Sequence, residues 1–147
     1  MSDHATEQIV IAASPQRCYE VAADIEAYPT WISDVKAVIA QERDAEGRPV
    51  LAEFRAAAFG RSTTYTLRYD FTGGPERLAW ELTESDLVAS LEGTYTFELA
   101  PGGATTVTYD LSVALKVPIP GFVKSRAEHR IRQTALQELK ARVVSTS

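Results

Sequence analysis

Apolar and polar residues alternate along most of the chain, and this pattern predicts strands with one buried face. The first alternating segment is "EQIVIAA", residues 7–13, which is also rich in β-branched residues. Short polar turns separate the later segments, so we predict an antiparallel meander with one dry face and one wet face. The six later strands are predicted at residues 35–42, 49–59, 62–72, 77–84, 87–100 and 105–117.

A helix is predicted between the first two strands, in "SPQRCYEVAADI", residues 14–25. Ser14 is a good N-cap, and Pro15 suits the first position of a helix. Pro29 disfavours helical backbone at the preceding Tyr28. We therefore expect Pro29 to end this helix, and a further short turn to form in "TWISD" after it.

A second, longer helix is predicted from Gly121 to about Val144, after Pro118 and Pro120 have ended the sheet. It is about 35 Å long at 1.5 Å per residue, and it is the only predicted element that could cross the whole sheet. Its apolar residues recur at helical spacing. They are Ile131, Ala135, Leu136, Leu139 and Val143.

These elements predict an α+β architecture in which a curved seven-stranded antiparallel sheet wraps around the long C-terminal helix. One or two short helices follow the first strand. A curved sheet that grips one helix cannot close tightly everywhere, so we expect a cavity lined by the inward face of the sheet. The residues predicted to face inward are Phe54, Tyr65, Leu67, Tyr69, Trp80, Leu82, Tyr95, Phe97, Tyr109 and Leu111. Such a lining suits a hydrophobic or aromatic small molecule, with tyrosine hydroxyls that orient it.

The segment "ADIEAYPTWI", residues 23–32, leaves two interpretations open for its aromatic residues. In one, Trp31 seals the core beneath a short turn. In the other, Tyr28 and Trp31 line the mouth through which a hydrophobic ligand enters. Both residues are counted among the predicted ligand-binding residues, as is Phe122 near the start of the long helix.

The first turns of the long helix also allow two orientations. Extending the apolar stripe backwards places Arg132, Glu128, Ser125 and Lys124 towards the sheet. Of these, Glu128 and Arg132 could pair at i,i+4 spacing and give the cavity a polar end. A small drift of the helix would instead turn Val123 and Ala127 inward. The pattern does not decide between the two, and Glu128 and Arg132 are retained as predicted ligand-binding residues.

Composition fits one globular domain over residues 1–147, with 45% hydrophobic and 24% charged residues. No apolar run is long enough to span a bilayer, the N-terminus does not resemble a secretory signal, and the single Cys18 fits a reducing compartment. We therefore expect a cytoplasmic protein. The net charge of −5 divides into +4 for residues 118–147 and −9 elsewhere, and the acidic body argues against nucleic-acid binding.

Residues typical of catalytic or metal sites do not form a recognisable motif. Cys18 lies on the apolar stripe of the first helix, and His4 and His129 stand far apart. The Gly-Gly pairs at 73–74 and 102–103 lack the context of a phosphate-binding loop and are interpreted as turns. We predict no metal site, and no catalytic residue can be assigned.

Three stretches carry a resemblance to a known family: "IVIAASPQRCYEVAADIEAYPTW" (9–31), "GTYTFEL" (93–99) and "TALQELKARV" (134–143). With the strand order, they resemble the START-like superfamily (SRPBCC, Bet v 1-like), in particular its polyketide cyclase/dehydrase and lipid-transport branch, which includes coenzyme Q-binding proteins. The resemblance covers nearly the whole chain. It implies a helix-grip fold with a deep hydrophobic cavity and no cofactor common to the group.

The resemblance fixes the fold better than the function. The first hypothesis is binding or carriage of a lipid, polyketide, quinone or similar hydrophobic molecule. The alternatives are an aromatase-type polyketide cyclase or dehydratase acting in the same cavity, and a regulatory or toxin-like interaction module. The sequence leaves open whether the protein touches a membrane surface transiently. It also leaves open whether the protein is a monomer or a homodimer, and an exposed edge strand would allow the dimer.

Overall fold

The computed structural model describes residues 3–58 and 61–146, which contain seven strands and two α-helices. The strands are β1 (Asp3–Ile11), β2 (Val35–Arg43), β3 (Pro49–Ala58), β4 (Arg61–Asp70), β5 (Arg77–Ser85), β6 (Val88–Leu99) and β7 (Thr105–Leu115). The helices are α1 (Pro15–Ala23) and α2 (Gly121–Thr146), and short 3₁₀ helices span Ile25–Thr30 and Pro101–Gly103. The predicted α+β fold is confirmed, while the turn expected between the strands predicted at 49–59 and 62–72 lies mostly outside the described residues.

The strands form one antiparallel sheet in the order β1-β7-β6-β5-β4-β3-β2. Strands β2 to β7 make the predicted meander, because each pairs with the next strand in the chain. The first strand returns to the far edge, where its residues Asp3 to Ile11 pair with Val113 to Thr105 of β7. The first and the last strand in the chain, β1 and β7, are therefore neighbours, and both lie beneath α2.

Helix α2 covers the concave face of the sheet and packs on β1, β7 and α1. Its buried stripe contains the predicted Leu136, Leu139 and Val143, and it continues towards the N-terminus through Glu128 and Arg132. Val123 is 43% exposed. Of the two orientations left open by the sequence, α2 therefore adopts the one that buries the charged pair of residues.

Helix α1 begins where the sequence predicts but ends earlier. The Ser14 hydroxyl accepts a hydrogen bond from the Arg17 amide at 3.2 Å, which is the expected N-cap. The helix stops at Ala23 because Asp24 has non-helical backbone, so the prediction that Pro29 ends it is wrong. Pro29 lies within the 3₁₀ helix Ile25–Thr30, whose backbone angles are compatible with the fixed φ of proline.

The sheet has a close backbone approach where β5 and β6 pair. Gly93 stands directly opposite Trp80, and a Cβ atom added to Gly93 would fall on the indole ring. The absence of a side chain at Gly93 therefore lets Trp80 lie across the neighbouring strand. Trp80 is thereby held against the concave face of the sheet, beside the rings of Tyr69, Tyr95 and Tyr109.

We expect Gly93→Ala to lower the free energy of unfolding by about 1–3 kcal/mol, because the added methyl group forces the indole of Trp80 out of its position. Gly121→Ala is the matched control. A Cβ at that position meets open space at the start of α2, so this variant should be neutral or more stable by up to about 1 kcal/mol. Urea denaturation of both variants measures the difference, and equal stabilities would contradict the proposed packing of Trp80 on Gly93.

Candidate functional site

A cavity of about 160 Å³ lies between the concave face of the sheet and α2. Strands β3 to β7 supply most of its lining, the 3₁₀ helix supplies Tyr28, and the loop that follows it supplies Ile32 and Asp34. For comparison, an apolar protein cavity of about 150 Å³ holds one benzene molecule. The space is therefore of the size of one or two small rings.

The structure gathers eight of the predicted ligand-binding residues around this cavity. They come from the 3₁₀ helix and from five different strands, and six of them are aromatic residues on the inward face of the sheet. These lining residues are Tyr28, Phe54, Tyr65, Tyr69, Trp80, Tyr95, Tyr109 and Leu111. Contact of each with a ligand remains a prediction.

Six other predicted residues lie outside the lining, although five of them are wholly or partly buried. Phe97 packs edge-on against Tyr19 of α1, and Leu82 packs against the core. Trp31 stands behind the lining, with its ring edge-on to Tyr28 at a centroid distance of 5.4 Å. Phe122 is 69% exposed at the start of α2. The remaining two, Glu128 and Arg132, are buried in the α2 stripe but do not line this cavity.

Sequence reasoning missed the face that α2 turns towards the cavity. Ile131, Thr134, Ala135 and Glu138 line it at i, i+3, i+4 and i+7 spacing. Ile131 and Ala135 were included in the predicted apolar stripe, so a signal for this face was present. The helix has two inward faces, one packed on β1 and β7 and one over the cavity, and a single predicted stripe merged them.

The aromatic side chains form a continuous wall. Phe54 stacks on Tyr65 with the rings 8° from parallel and their centroids 5.3 Å apart. The ring centroids of Trp80 and Tyr95 are 5.2 Å apart, and those of Tyr95 and Tyr109 are 4.8 Å apart. Rings in such contact hold one another in place, and each pair adds about 0.5–1.5 kcal/mol beyond its buried area. The wall is therefore a packed surface that can face a flat aromatic ligand.

The tyrosine hydroxyls of this wall differ in their hydrogen bonding. Tyr28 donates to the carbonyl oxygen of Ala22, and its hydroxyl lies near that of Tyr69. The hydroxyls of Tyr65, Tyr95 and Tyr109 make no hydrogen bond to any residue within 3–58 and 61–146. Because a phenol hydroxyl carries one donor hydrogen, these three groups are donors that a ligand oxygen in the cavity could satisfy.

These hydroxyls stay protonated near neutral pH. Burial raises the pKa of Tyr65 to about 12, and the Asp34 carboxylate adds to the shift. Burial also raises the pKa of Tyr95 well above its usual value, helped by Tyr109, Tyr28 and the Glu138 carboxylate. The pKa of Tyr109 is raised by burial and by Tyr65, while the Arg132 guanidinium opposes the rise. All three therefore act as hydrogen-bond donors.

Glu138 joins the cavity to the loop that precedes β2. Its Oε2 accepts a hydrogen bond from the Ser33 amide at 3.1 Å, which ties this loop to α2. Asp34 follows in the same loop and is exposed. Both carboxylates border the cavity, so its rim on this side is acidic.

The first half of α2 carries a separate group of charged and polar contacts. Lys124 Nζ lies 3.0 Å from Glu128 Oε2, and His129 Nδ1 lies 2.8 Å from Glu7 Oε1 on β1. The expected pair of Glu128 with Arg132 is not formed, because Glu128 is paired with the lysine one turn earlier. The pairing prediction is therefore wrong, although both residues are buried as the inward orientation requires.

A wider groove of about 620 Å³ lies on the opposite face of the sheet. Its side chains alternate with the inward residues of β4 to β7 and carry charges of both signs, such as Arg68, Asp70, Glu81 and Glu92. Such a groove offers no continuous apolar surface. The smaller inner cavity, with its aromatic wall and unpaired hydroxyls, is the better candidate for a ligand site.

Two negative findings concern residues 3–58 and 61–146. Among those residues, no cluster of three or more His, Cys, Asp or Glu side chains could hold a metal ion. None of the described helices combines the length and the apolar character needed to cross a membrane.

A curved antiparallel sheet that grips a long C-terminal helix over an internal cavity defines a START-like, helix-grip protein. Solved structures share this architecture. A START superfamily protein from Mycobacterium smegmatis superposes with a TM-score of 0.90 at 21% identity, over 98% of this chain and 99% of that one. The Zhui aromatase/cyclase from Streptomyces sp. R1128 superposes with a TM-score of 0.85 at 14% identity, over 97% of this chain and 94% of that one. A protein from Thermus thermophilus superposes with a TM-score of 0.79 at 24% identity, over 99% of both chains.

The family described as polyketide cyclase / dehydrase and lipid transport matches residues 2–144. The chain belongs to this family, and the resemblance seen in the sequence is confirmed. A comparison with curated proteins gives no match. The family match and the shared architecture together support a hydrophobic-ligand-binding fold. The three solved structures are each less than 25% identical to this chain, so taken alone they show only that the fold is shared.

The two kinds of tyrosine should respond differently to loss of the hydroxyl. Tyr28→Phe leaves the buried carbonyl oxygen of Ala22 without its donor, so we expect it to lower the free energy of unfolding by about 1 kcal/mol or more. Tyr65→Phe removes a hydroxyl that has no partner among the described residues and should change stability by less than about 0.5 kcal/mol. Thermal or urea unfolding of the ligand-free protein compares them; a larger loss in Tyr65→Phe would mean that its hydroxyl is paired.

Proposed function

We propose that the protein binds and holds a compact hydrophobic small molecule that carries a ring and an acceptor oxygen, in the cavity between the sheet and α2. One observation carries this proposal. Three protonated tyrosine hydroxyls without partners among the described residues stand in a wall that is mostly aromatic and aliphatic. A ligand oxygen would satisfy these donors, while its ring would pack on the aromatic side chains.

The size of the cavity narrows the class of ligand. A volume of about 160 Å³ suits one or two rings, whereas a long acyl chain would have to leave the cavity or enlarge it. Quinones and aromatic or cyclised polyketides combine rings with carbonyl oxygens. Among the ligands considered from the sequence, they fit the lining better than an extended lipid does.

Other expectations from the sequence remain proposals beside this one. They are a cytoplasmic location, the extent of the domain over residues 1–147, transient contact with a membrane surface, and a monomer or homodimer. The family description, which names polyketide chemistry and lipid transport together, supports a hydrophobic cargo without selecting one. The binding proposal needs none of these additional properties.

Filling the cavity tests the proposal directly. Ala135 lines the cavity from α2, so Ala135→Phe would place a ring in the space that the ligand needs. A neutral aromatic ketone, 2-acetylnaphthalene, serves as the probe. We expect the wild-type protein to bind it and Ala135→Phe to weaken binding at least tenfold, as measured by isothermal titration calorimetry.

Ala141→Phe is the matched control for this experiment, since Ala141 lies on the exposed face of the same helix. It should leave the affinity for 2-acetylnaphthalene unchanged. Equal affinities in the two variants would place the probe outside the cavity. No binding to the wild-type protein, together with the absence of any small molecule in solvent extracts of the purified protein, would leave an interaction module with a closed core as the better hypothesis.

A second candidate function is polyketide cyclisation or dehydration, and it rests on Tyr95 and Glu138. Both line the cavity, and Glu138 is close enough to raise the pKa of the Tyr95 hydroxyl. A phenol donor and a carboxylate on one cavity are the groups that an enolisation requires, with the phenol polarising a ketone oxygen and the carboxylate removing an adjacent proton.

The cyclase hypothesis is tested with a linear poly-β-ketone thioester. If it holds, the wild-type protein forms a cyclised product, and Glu138→Gln lowers turnover at least a hundredfold while the thioester still binds. Glutamine retains an oxygen that can accept from the Ser33 amide, so the loop should stay attached to α2. Binding of the thioester without any product from the wild-type protein would exclude this candidate and leave carriage.

A further inference from the structure

The buried stripe of α2 contains one cation without a counter-ion. Arg132 is only 7% exposed, yet its guanidinium makes no ion pair or hydrogen bond with any residue in the described ranges. Its Nε is the only fully buried side-chain nitrogen or oxygen among the described residues that has no hydrogen-bond partner. A buried charge in this state is costly unless something else supplies the missing negative charge.

The carboxylates near Arg132 are already engaged. Glu128, one turn earlier on α2, pairs with Lys124 at 3.0 Å. Glu7, on the neighbouring strand β1, lies 2.8 Å from Nδ1 of His129. These contacts leave Arg132 as the member of the group whose donors are free for a further acceptor.

The register of the sheet places Arg132 beside the ligand cavity. Glu7 stands opposite Tyr109 in the β1–β7 pair, and its contact with His129 fixes this part of α2 above that pair. Arg132 lies just beyond His129 on the helix, and its chain neighbour Ile131 lines the cavity. Tyr109 lines the same cavity from the sheet and lies near enough to Arg132 to feel its charge, although Arg132 itself is outside the lining.

The three unpartnered tyrosine hydroxyls have different charged neighbours. Tyr65 lies near the carboxylate of Asp34, and Tyr95 lies near that of Glu138. Tyr109 is the one whose rise in pKa, caused by burial, is opposed by a nearby cation, Arg132. A negatively charged ligand oxygen would therefore be repelled from the first two hydroxyls and attracted to the third.

We propose that Arg132 and Tyr109 form an anion subsite at the edge of the cavity, and that the ligand is a compact aromatic acid whose carboxylate or enolate oxygen accepts hydrogen bonds from both. This inference rests on the proposed function, because it assumes that the cavity holds the ring of the ligand. The guanidinium supplies several donors with a fixed geometry, and the phenol supplies one more. The ligand anion then provides the counter-charge that Arg132 lacks in the chain.

Two isosteric probes test the subsite. 2-Naphthoate carries a carboxylate, and 2-naphthamide has the same ring and nearly the same shape without the charge. We expect the wild-type protein to bind 2-naphthoate at least tenfold more tightly than 2-naphthamide at neutral pH by isothermal titration calorimetry. Raising the salt concentration should change this ratio little, because a buried pair is weakly screened.

Variants identify the residue responsible for the difference. Arg132→Met should bring the ratio of the two affinities close to one, because it removes the charge that favours 2-naphthoate. Tyr109→Phe should lower the ratio by a smaller factor, since it removes one donor and no charge. Arg130→Met is the control, because Arg130 is exposed on the same helix and its loss changes the net charge equally; the ratio should stay as in the wild-type protein.

Unfolding of the ligand-free protein gives a second measure of the unpaired charge. Arg132→Met should raise the midpoint of thermal unfolding by about 2–4 °C, because it removes a buried cation without a partner and keeps most of its volume. A lower midpoint would show that Arg132 already has a counter-ion in the fold, and it would overturn the inference.

The outcomes separate this inference from the proposed function. Equal binding of both probes to the wild-type protein, unchanged in Arg132→Met, would overturn the anion subsite and leave the cavity as a site for neutral rings. Binding of neither probe, nor of 2-acetylnaphthalene, would overturn the proposed function itself. If Arg132→Met does not fold, the wild-type ratio and the Tyr109→Phe ratio still decide the question.

Discussion

The structure depends on a mismatch between the width of the sheet and the width of the helix that covers it. Seven strands spaced about 4.8 Å apart form a sheet nearly 30 Å across, whereas an α-helix with its side chains is about 10–12 Å wide. One helix cannot cover the apolar face of such a sheet while the sheet is flat. The sheet therefore curves around α2, and α1 and the 3₁₀ helix Ile25–Thr30 cover part of the remainder. The space that none of them fills is the cavity, so the site follows from how the core is covered.

Helix α2 has two different tasks within this arrangement. The face that contains Leu136, Leu139 and Val143 packs on β1 and β7 and fixes the helix to the sheet. The adjacent face, with Ala135 and Glu138, stands over the cavity and carries small or polar groups. Because the aromatic wall on the sheet is rigidly packed, changes on this second face of α2 can alter what the cavity accepts at little cost to the fold.

The alternation of residues predicted the fold well because a strand with one buried face encodes its orientation locally. Tyr95 and Phe97 show what the alternation of residues cannot predict. Both point inward from β6, but α1 covers Phe97 through Tyr19, whereas Tyr95 remains under the cavity. Which part of the sheet each helix covers depends on tertiary packing that no alternation encodes. The same limit explains Glu128, whose partner proved to be Lys124, since i,i+4 neighbours exist in both directions along a helix.

Charge placement distinguishes this cavity from a purely apolar one. An aromatic wall with protonated phenols accepts almost any ring that carries an oxygen, so shape alone would leave the protein with low selectivity. The acidic rim at Asp34 and Glu138 and the buried cation at Arg132 make the surroundings of the cavity electrically asymmetric. An amphiphile with one negative end would enter with a defined orientation, because the reverse orientation brings its anion to two carboxylates. In a site this small, orientation would decide which atom of a bound ligand meets Tyr95 and Glu138, and the same asymmetry would govern both the binding and the chemistry proposed for the cavity.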